Sequence, residues 1–206
     1  MESSTLWVFI PTFFFVSATP GMCMTLALTL GMTIGVKRAM LMMVGELIGV
    51  GLVATLAIIG VAAILLNHPT LFIILKSVGA LYLLYLGIQM WRSKGRLAIP
   101  ENLDEAVKAD FKTLASQGFI TAIANPKGWA FFIALLPPFI HSEAPLPAQC
   151  VSLISVILVL EFTCLMMYAC GGQTLRKALL NRGNVVVMNR ISGSLMAGVA
   201  AWLALG

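Results

Sequence analysis

Charge is what this sequence has least of. Only 10% of its 206 residues are charged, whereas 60% are hydrophobic and the mean hydropathy is +0.98. An ordinary soluble domain carries roughly 25% charge, so there are too few polar groups to cover a globule of this size. The chain therefore reads as an all-α integral membrane protein. Other absences narrow the function classes. None of the cysteines Cys23, Cys150, Cys164 and Cys170 forms a Cys-x-x-Cys pair. Thiol-based electron transport lacks its paired groups, and these residues read as small hydrophobes. The two histidines, His68 and His141, fall in separate loops, which argues against a metal site. No Gly-Lys-Ser/Thr motif, zinc-finger spacing or nucleophile–base constellation is present. ATP hydrolysis, nucleic-acid binding, a bound cofactor and enzymatic chemistry are accordingly not expected.

What is present is a series of apolar runs. A bilayer core requires about 20 apolar residues per helix. Six runs meet this need: Leu6 to Leu30, Ala39 to Leu66, Thr70 to Trp91, Thr113 to Leu136, Gln149 to Gly171 and Val185 to Leu205. The first has a small-residue stretch at Val16-Ser17-Ala18 like that of a signal peptide. It lacks a basic segment before it and is too long, so it is read as a retained helix. Basic residues mark cytoplasmic connections. Lys37 and Arg38 lie between runs one and two; Arg92, Lys94, Arg96, Lys108 and Lys112 lie between three and four; Arg176, Lys177 and Arg182 lie between five and six. The other connections carry none. This alternation accounts for the net charge of +5 and places both termini on the outer, periplasmic side.

The two halves of the chain resemble each other. Phe15-Val16-Ser17-Ala18-Thr19-Pro20-Gly21 is matched by Phe119-Ile120-Thr121-Ala122, followed by Asn125-Pro126-Lys127-Gly128. Lys76-x-x-Gly79-Ala80-Leu81 is matched by Arg190-x-x-Gly193-Ser194-Leu195, and Glu46 by Glu161. The reading is two three-helix repeats, residues 1–91 and 113–206, joined by a cytoplasmic linker at 92–112, in a single transmembrane domain. Three helices per repeat make the second repeat inverted, an architecture of many secondary transporters.

Few groups inside these runs carry chemistry. Glu46 and Glu161 are the only acids there, and a carboxylate in hydrocarbon faces a cavity, meets a cation or takes up a proton. They are candidates for a substrate-ammonium or proton site. The plainer alternative is structural pairing, with Lys76 and Arg190 as partners. Pro20-Gly21 and Asn125-Pro126 interrupt the first and fourth helices, because proline removes a backbone hydrogen bond and clashes with the preceding turn. Amides exposed at such breaks receive carboxylates. Lys127 either pairs with an acid or helps to hold a substrate carboxylate. Tyr82, Tyr85, Trp129 and Asn189 are cavity candidates, with packing or interface anchoring as the plainer reading. Gly31-x-x-x-Gly35, Gly45-x-x-x-Gly49 and Ala197-x-x-x-Ala201 fit close helix contacts.

Together these residues resemble the LysE/RhtB family of bacterial amino-acid exporters. The resemblance runs from Thr19-Pro20-Gly21 through Gly31, Gly35 and Gly45-Glu46 to Lys76-x-x-Gly79-Ala80-Leu81-Tyr82, continuing to Gly87 and Phe111. It resumes at Gly118-Phe119-Ile120-Thr121-Ala122, Asn125-Pro126-Lys127, Phe131-Phe132 and Leu135 to Pro137, then at Glu161 and Asn189-Arg190-Ile191-x-Gly193. It implies an inner-membrane permease of six helices that expels amino acids in exchange for protons, with the proton gradient as its energy source. Relatives often have Pro-Gly-Pro where this chain has Pro20-Gly21-Met22, and Asp where it has Glu46 and Glu161. A small neutral substrate such as homoserine, threonine or leucine is the first expectation, and a basic one such as lysine or arginine is the alternative. Export of a small cation or other metabolite, or a non-transporting role in a membrane assembly, stand further off. The expected partners are the amino acid, protons and the lipid bilayer, with oligomeric state left open, a homo-oligomer included.

Overall fold

The computed structural model describes residues 3–93, 109–136, 139–140, 145–180 and 182–205. Among them are eight helices: α1 Ser3–Ala18, α2 Met22–Thr33, α3 Val36–Asn67, α4 Pro69–Arg92, α5 Phe111–Ile123, α6 Pro126–Leu135, α7 Leu146–Leu180 and α8 Arg182–Leu205. Most of the linker (94–108), Pro137, Pro138, His141 and the side chains of Lys76, Arg176, Lys177 and Arg182 lie outside the described residues. The six apolar runs correspond in order to α1 with α2, α3, α4, α5 with α6, α7, and α8. Three described stretches are long and apolar enough to cross a membrane: Val36–Ile64, Leu146–Gly172 and Gly183–Trp202. The pair Phe9–Ala18 and Met22–Thr33, bent by 59°, makes a fourth when counted as one broken span.

Local chemistry sets the boundaries. Pro20 cannot donate, and α1 stops two residues before it. Gly35, at φ +81°, turns the chain into α3 through a left-handed conformation that favours glycine. Pro69 and Pro126 occupy the first positions of α4 and α6, where a missing N–H costs nothing. The Asp110 carboxylate accepts from Thr113 N at 2.9 Å and Thr113 Oγ1 at 2.6 Å, capping α5. Those hydrogen bonds hold the exposed Asp110 carboxyl below the usual carboxylate range. Gly172 (φ +47°, ψ −138°) interrupts helical geometry in α7 one residue beyond the expected end of the fifth run.

Small residues bring the backbones together. A Cβ on Gly118 of α5 would strike the Met42 carbonyl of α3 and stand 2.9 Å from Glu46 N. One on Gly45 of α3 would strike the Ala115 carbonyl. The two helices therefore cross at van der Waals contact beside Glu46. In α4 and α8, a Cβ on Gly193 would lie 2.6 Å from Gly87 O. The expected close contacts hold at Gly31, Gly45 and Gly49, whereas Gly35 has no neighbour within 4 Å and serves as a cap instead. Ala201 is exposed, and Gly87 with Gly193 makes the α4–α8 approach.

Two apolar clusters enclose a polar layer. One contains Phe9, Phe13 and Val16 of α1, Val50 to Ala62 of α3, Leu153 and Ile157 of α7, and Met196 to Ala200 of α8. The other contains Cys23 to Leu30 of α2, Ala39 to Met43 of α3, Cys164 to Ala169 of α7, and Val185 of α8. The buried polar residues Thr19, Glu46, Glu161, Asn189 and Ser192 fall between the two sets along each helix. Glu46 and Glu161 are thus interior rather than interfacial. Large apolar side chains such as Ile48, Leu52, Leu56 and Ile59 face outward on α3, as a lipid-facing stripe requires.

The α3–α5 crossing gives the first prediction. Overpacking a tight contact costs about 1–3 kcal/mol. Gly118→Ala and Gly45→Ala should each lower unfolding stability in detergent by about that amount. Gly60→Ala, with nothing within 4 Å of the added methyl, should leave stability unchanged or raise it slightly. Equal effects at all three positions would contradict the packing assignment.

Candidate functional site

The break between α1 and α2 leaves the last carbonyls of α1 without intrahelical donors. Side chains from three other helices reach them. Lys127 Nζ of α6 donates to Val16 O at 2.6 Å, Tyr168 Oη of α7 to Ala18 O at 2.7 Å, and Ser192 Oγ of α8 to Phe15 O at 3.1 Å. Thr19 Oγ1 also donates to Phe15 O (2.8 Å), and Thr19 and Ser192 share a hydrogen bond. Lys127 brings its positive charge to the negative end of the α1 dipole. On the other side of the break, α2 begins at Gly21 with extended backbone (φ −144°, ψ −173°) and no side-chain cap.

The second break is closed differently. Asn125 caps α6, its Oδ1 accepting from Lys127 N at 3.1 Å, and its Nδ2 lies 3.7 Å from Cys23 Sγ. Trp129 Nε1 donates to Ile123 O at 2.8 Å, satisfying the end of α5.

A cavity of about 60 Å³ lies where the two breaks meet. Gly21, Glu46, Asn125, Lys127 and Glu161 all line it, with Ser17, Cys23 and Phe13 among the other residues. Glu161, 7% exposed, accepts a hydrogen bond from Ser17 Oγ and has Lys127 as an electrostatic neighbour. Glu46 is 0% exposed, and neither of its carboxylate oxygens has a hydrogen-bond partner among the described residues. The charges of Glu46 and Glu161 interact directly. The two halves thus differ at matching positions. Ser17 gives its hydroxyl to Glu161, whereas its counterpart Thr121 gives its hydroxyl to Gln117 O of its own helix at 2.7 Å.

Pro20 and Asn189 line a second cavity, of about 290 Å³, which shares Thr19 and Lys127 with the first. Asn189 Nδ2 donates to Ser93 Oγ at 2.9 Å. Pro126 is exposed and contributes the break itself. Tyr82 is not brought to either cavity; it is 39% exposed, its ring 6.0 Å from that of Tyr85. Arg190 lies over the Trp91 ring at 5.4 Å. Ser17, Ser192 and Tyr168 were not singled out by the sequence, although Ser17 stands in the repeated Phe-x-Ser/Thr-Ala segment. Among the described residues, no group of three or more His, Cys, Asp and Glu is placed to hold a metal ion.

Residues 14–206 match the family model described as LysE type translocator. The chain is 28% identical over 188 residues to the homoserine/homoserine lactone efflux protein of Salmonella typhimurium, covering 91% of this chain and 90% of that one. It is 28% identical over 201 residues to the leucine efflux protein of Enterobacter sp., covering 96% and 94%. It is 32% identical over 143 residues to the leucine efflux protein of Salmonella choleraesuis, covering 68% and 65%. No solved structure matches the chain.

The donors gathered on α1 give a ranked expectation. Tyr168→Phe removes one neutral hydrogen bond, worth about 0.5–1.5 kcal/mol. Lys127→Met removes a charged donor, worth about 1.5–3 kcal/mol, and also the cation beside Glu161. Unfolding in detergent should therefore rank Lys127→Met below Tyr168→Phe, and Tyr168→Phe below the parent. The reverse order would show that the α1 terminus does not depend on Lys127.

Proposed function

The chain belongs to the LysE type translocator family, and on that footing we propose that it exports small neutral amino acids in exchange for protons. Family membership makes it a membrane transport protein and not an enzyme. The observation that carries the finer reading is Glu46, a fully buried carboxylate with both oxygens unpartnered beside a cavity. Such a group needs a cation or a proton. An amino acid supplies the first through its ammonium, and antiport supplies the second. The uncapped start of α2, with Gly21 and Cys23 at the cavity wall, offers backbone amides to the substrate carboxylate.

Charge counting alone does not separate a neutral from a basic side chain, because the amino acid brings its α-carboxylate together with its α-ammonium. Two carboxylates and one lysine line the cavity, and Lys127 lies in the field of Glu161. One carboxylate then remains for one positive group, which the α-ammonium fills. The names of the relatives, leucine and homoserine efflux proteins, support a neutral side chain.

The architecture that goes with this reading is six spans in two inverted repeats, with α1–α2 and α5–α6 as the broken first and fourth spans. The basic connections support a reading with both termini in the periplasm and the protein in the cytoplasmic membrane. Rocking of the repeats about the polar layer would expose Glu46 alternately to the two sides. Glu46 exchanges substrate for proton, and Glu161, held by Ser17, keeps Lys127 in place.

Two measurements test this. In vesicles with an imposed pH gradient, Glu46→Gln and Glu161→Gln should each reduce proton-driven flux of leucine or threonine at least tenfold; wild-type coupling in both variants would sink the proposal. In cells carrying the protein, labelled leucine, threonine and homoserine should leave faster than labelled lysine. Preferential lysine efflux would move the assignment to the basic class.

A further inference from the structure

The two cavities are unequal. Beside Glu46 the space is about 60 Å³, room for a few waters but not for an amino acid. The neighbouring cavity, at about 290 Å³, is close to the size of ordinary small-ligand pockets. It is built from the last two turns of α4 (Leu86, Gln89, Met90), the Ser93 cap, and the first two turns of α8 (Val185, Asn189). It therefore lies toward the end of the bundle where Arg92 stands. The opposite end of the small cavity is closed by aromatic rings. Phe13 is 5.7 Å from Phe131 and 6.0 Å from Phe132, and Phe9 meets Phe139 edge-on at 4.9 Å. The larger cavity thus adjoins the Glu46 cavity on the side away from these rings.

Thr19 and Lys127 line both spaces and form the wall between them. Both are tied to the end of α1, Lys127 through Val16 O and Thr19 through Phe15 O and Ser192. These bonds hold the two boundary residues in place. A Cβ on Gly21 would lie 4.0 Å from Lys127 Nζ, so the ammonium also stands beside the entrance to α2.

We propose that the larger cavity is an entry site for the α-carboxylate of the substrate, and that Lys127 is the gate between it and the glutamate chamber. A hydrogen bond between two charged groups is roughly twice as strong as one to a neutral carbonyl. A carboxylate entering from the basic end therefore competes successfully with Val16 O for the Lys127 ammonium. As Lys127 turns to the carboxylate, its bond across the wall is released and the amino acid advances toward Glu46. An amine without a carboxylate makes no such exchange and leaves the gate closed. The entry site selects for the carboxylate and Glu46 for the ammonium. This inference rests on the amino-acid export reading, and it places carboxylate recognition before the proton-coupled step.

The test uses Gln89→Cys as a reporter in full-length protein whose four native cysteines are replaced, reconstituted in vesicles and labelled with a small neutral thiol reagent. Leucine or threonine should slow labelling at least threefold, and leucinamide should not. Protection should vanish in Lys127→Gln, which retains a donor for Val16 O, and in Lys127→Met. It should persist in Glu46→Gln. Equal protection by leucinamide, or undiminished protection in Lys127→Gln, overturns the gate. Absence of protection by leucine in vesicles that export it against protons overturns the entry site alone. Protection intact, with wild-type proton coupling in both glutamate variants, overturns the antiport reading and leaves the entry site standing.

Discussion

Two carboxylates and one lysine share the interior of an apolar helix bundle, and the rest of the structure is organised around that imbalance. An isolated charge in such surroundings is strongly disfavoured, so each acid must be matched by something. Glu161 has Ser17 and the field of Lys127. Neither Glu46 oxygen has a hydrogen-bond partner among the described residues, and its neighbours in the polar layer are the Cys23 thiol and the Glu161 carboxyl rather than a cation. The backbone around Glu46 is closely packed, since a Cβ on Gly118 would stand 2.9 Å from its amide nitrogen. The crossing of α3 and α5 therefore fixes where the unmatched charge sits. On the transport reading, that charge is what makes an empty, unprotonated carrier unfavourable and drives it to take up either substrate or proton.

The broken helices follow from the same requirement. An unbroken α1 would satisfy its own carbonyls and offer nothing to neighbouring helices. Stopping it ahead of Pro20 frees three carbonyls, which recruit Lys127, Tyr168 and Ser192 from α6, α7 and α8. Lys127 is thereby bound to α1 while remaining close enough to Glu161 to offset its charge. Lys127 is thus tied to the helix end by a hydrogen bond and to the acid by its field. Away from bulk water, such bonds are stronger than they would be at a solvated surface.

Much of this was legible in the sequence, and the reason is scarcity. Carboxylates in apolar runs are rare enough that Glu46 and Glu161 declare themselves, and prolines inside apolar runs mark breaks through a known steric conflict. The hydroxyl residues were harder to read. Thr25, Thr33, Thr55 and Thr163 each bond a carbonyl one turn earlier in their own helix, the ordinary habit of such residues. Nothing in composition separates them from Ser17 or Ser192, whose partners lie 144 and 177 residues away. The tyrosines illustrate the same limit. Tyr82 lies in a motif yet faces outward, whereas Tyr168, in an apolar run with no motif, reaches Ala18 O. Gly35 carries the spacing of a helix contact but is needed for its positive φ, a demand visible only once the turn is seen.

The departures from internal symmetry matter more than the symmetry. Two identical halves would bury two equivalent carboxylates, each needing the same compensation at the same moment. Here Lys127 follows Pro126 where Gly21 follows Pro20, and Ser17 turns across to α7 where Thr121 turns back along α5. Both differences act in the same direction, supplying Glu161 and leaving Glu46 unsupplied. Lys127 approaches the start of α2 from the other half, its Nζ 4.0 Å from where a Cβ on Gly21 would lie. On the inverted-repeat reading, duplication accounts for a cavity at the centre of the bundle. On the transport reading, the substitutions at these two matched positions give the cavity one fixed acid and one exchangeable acid.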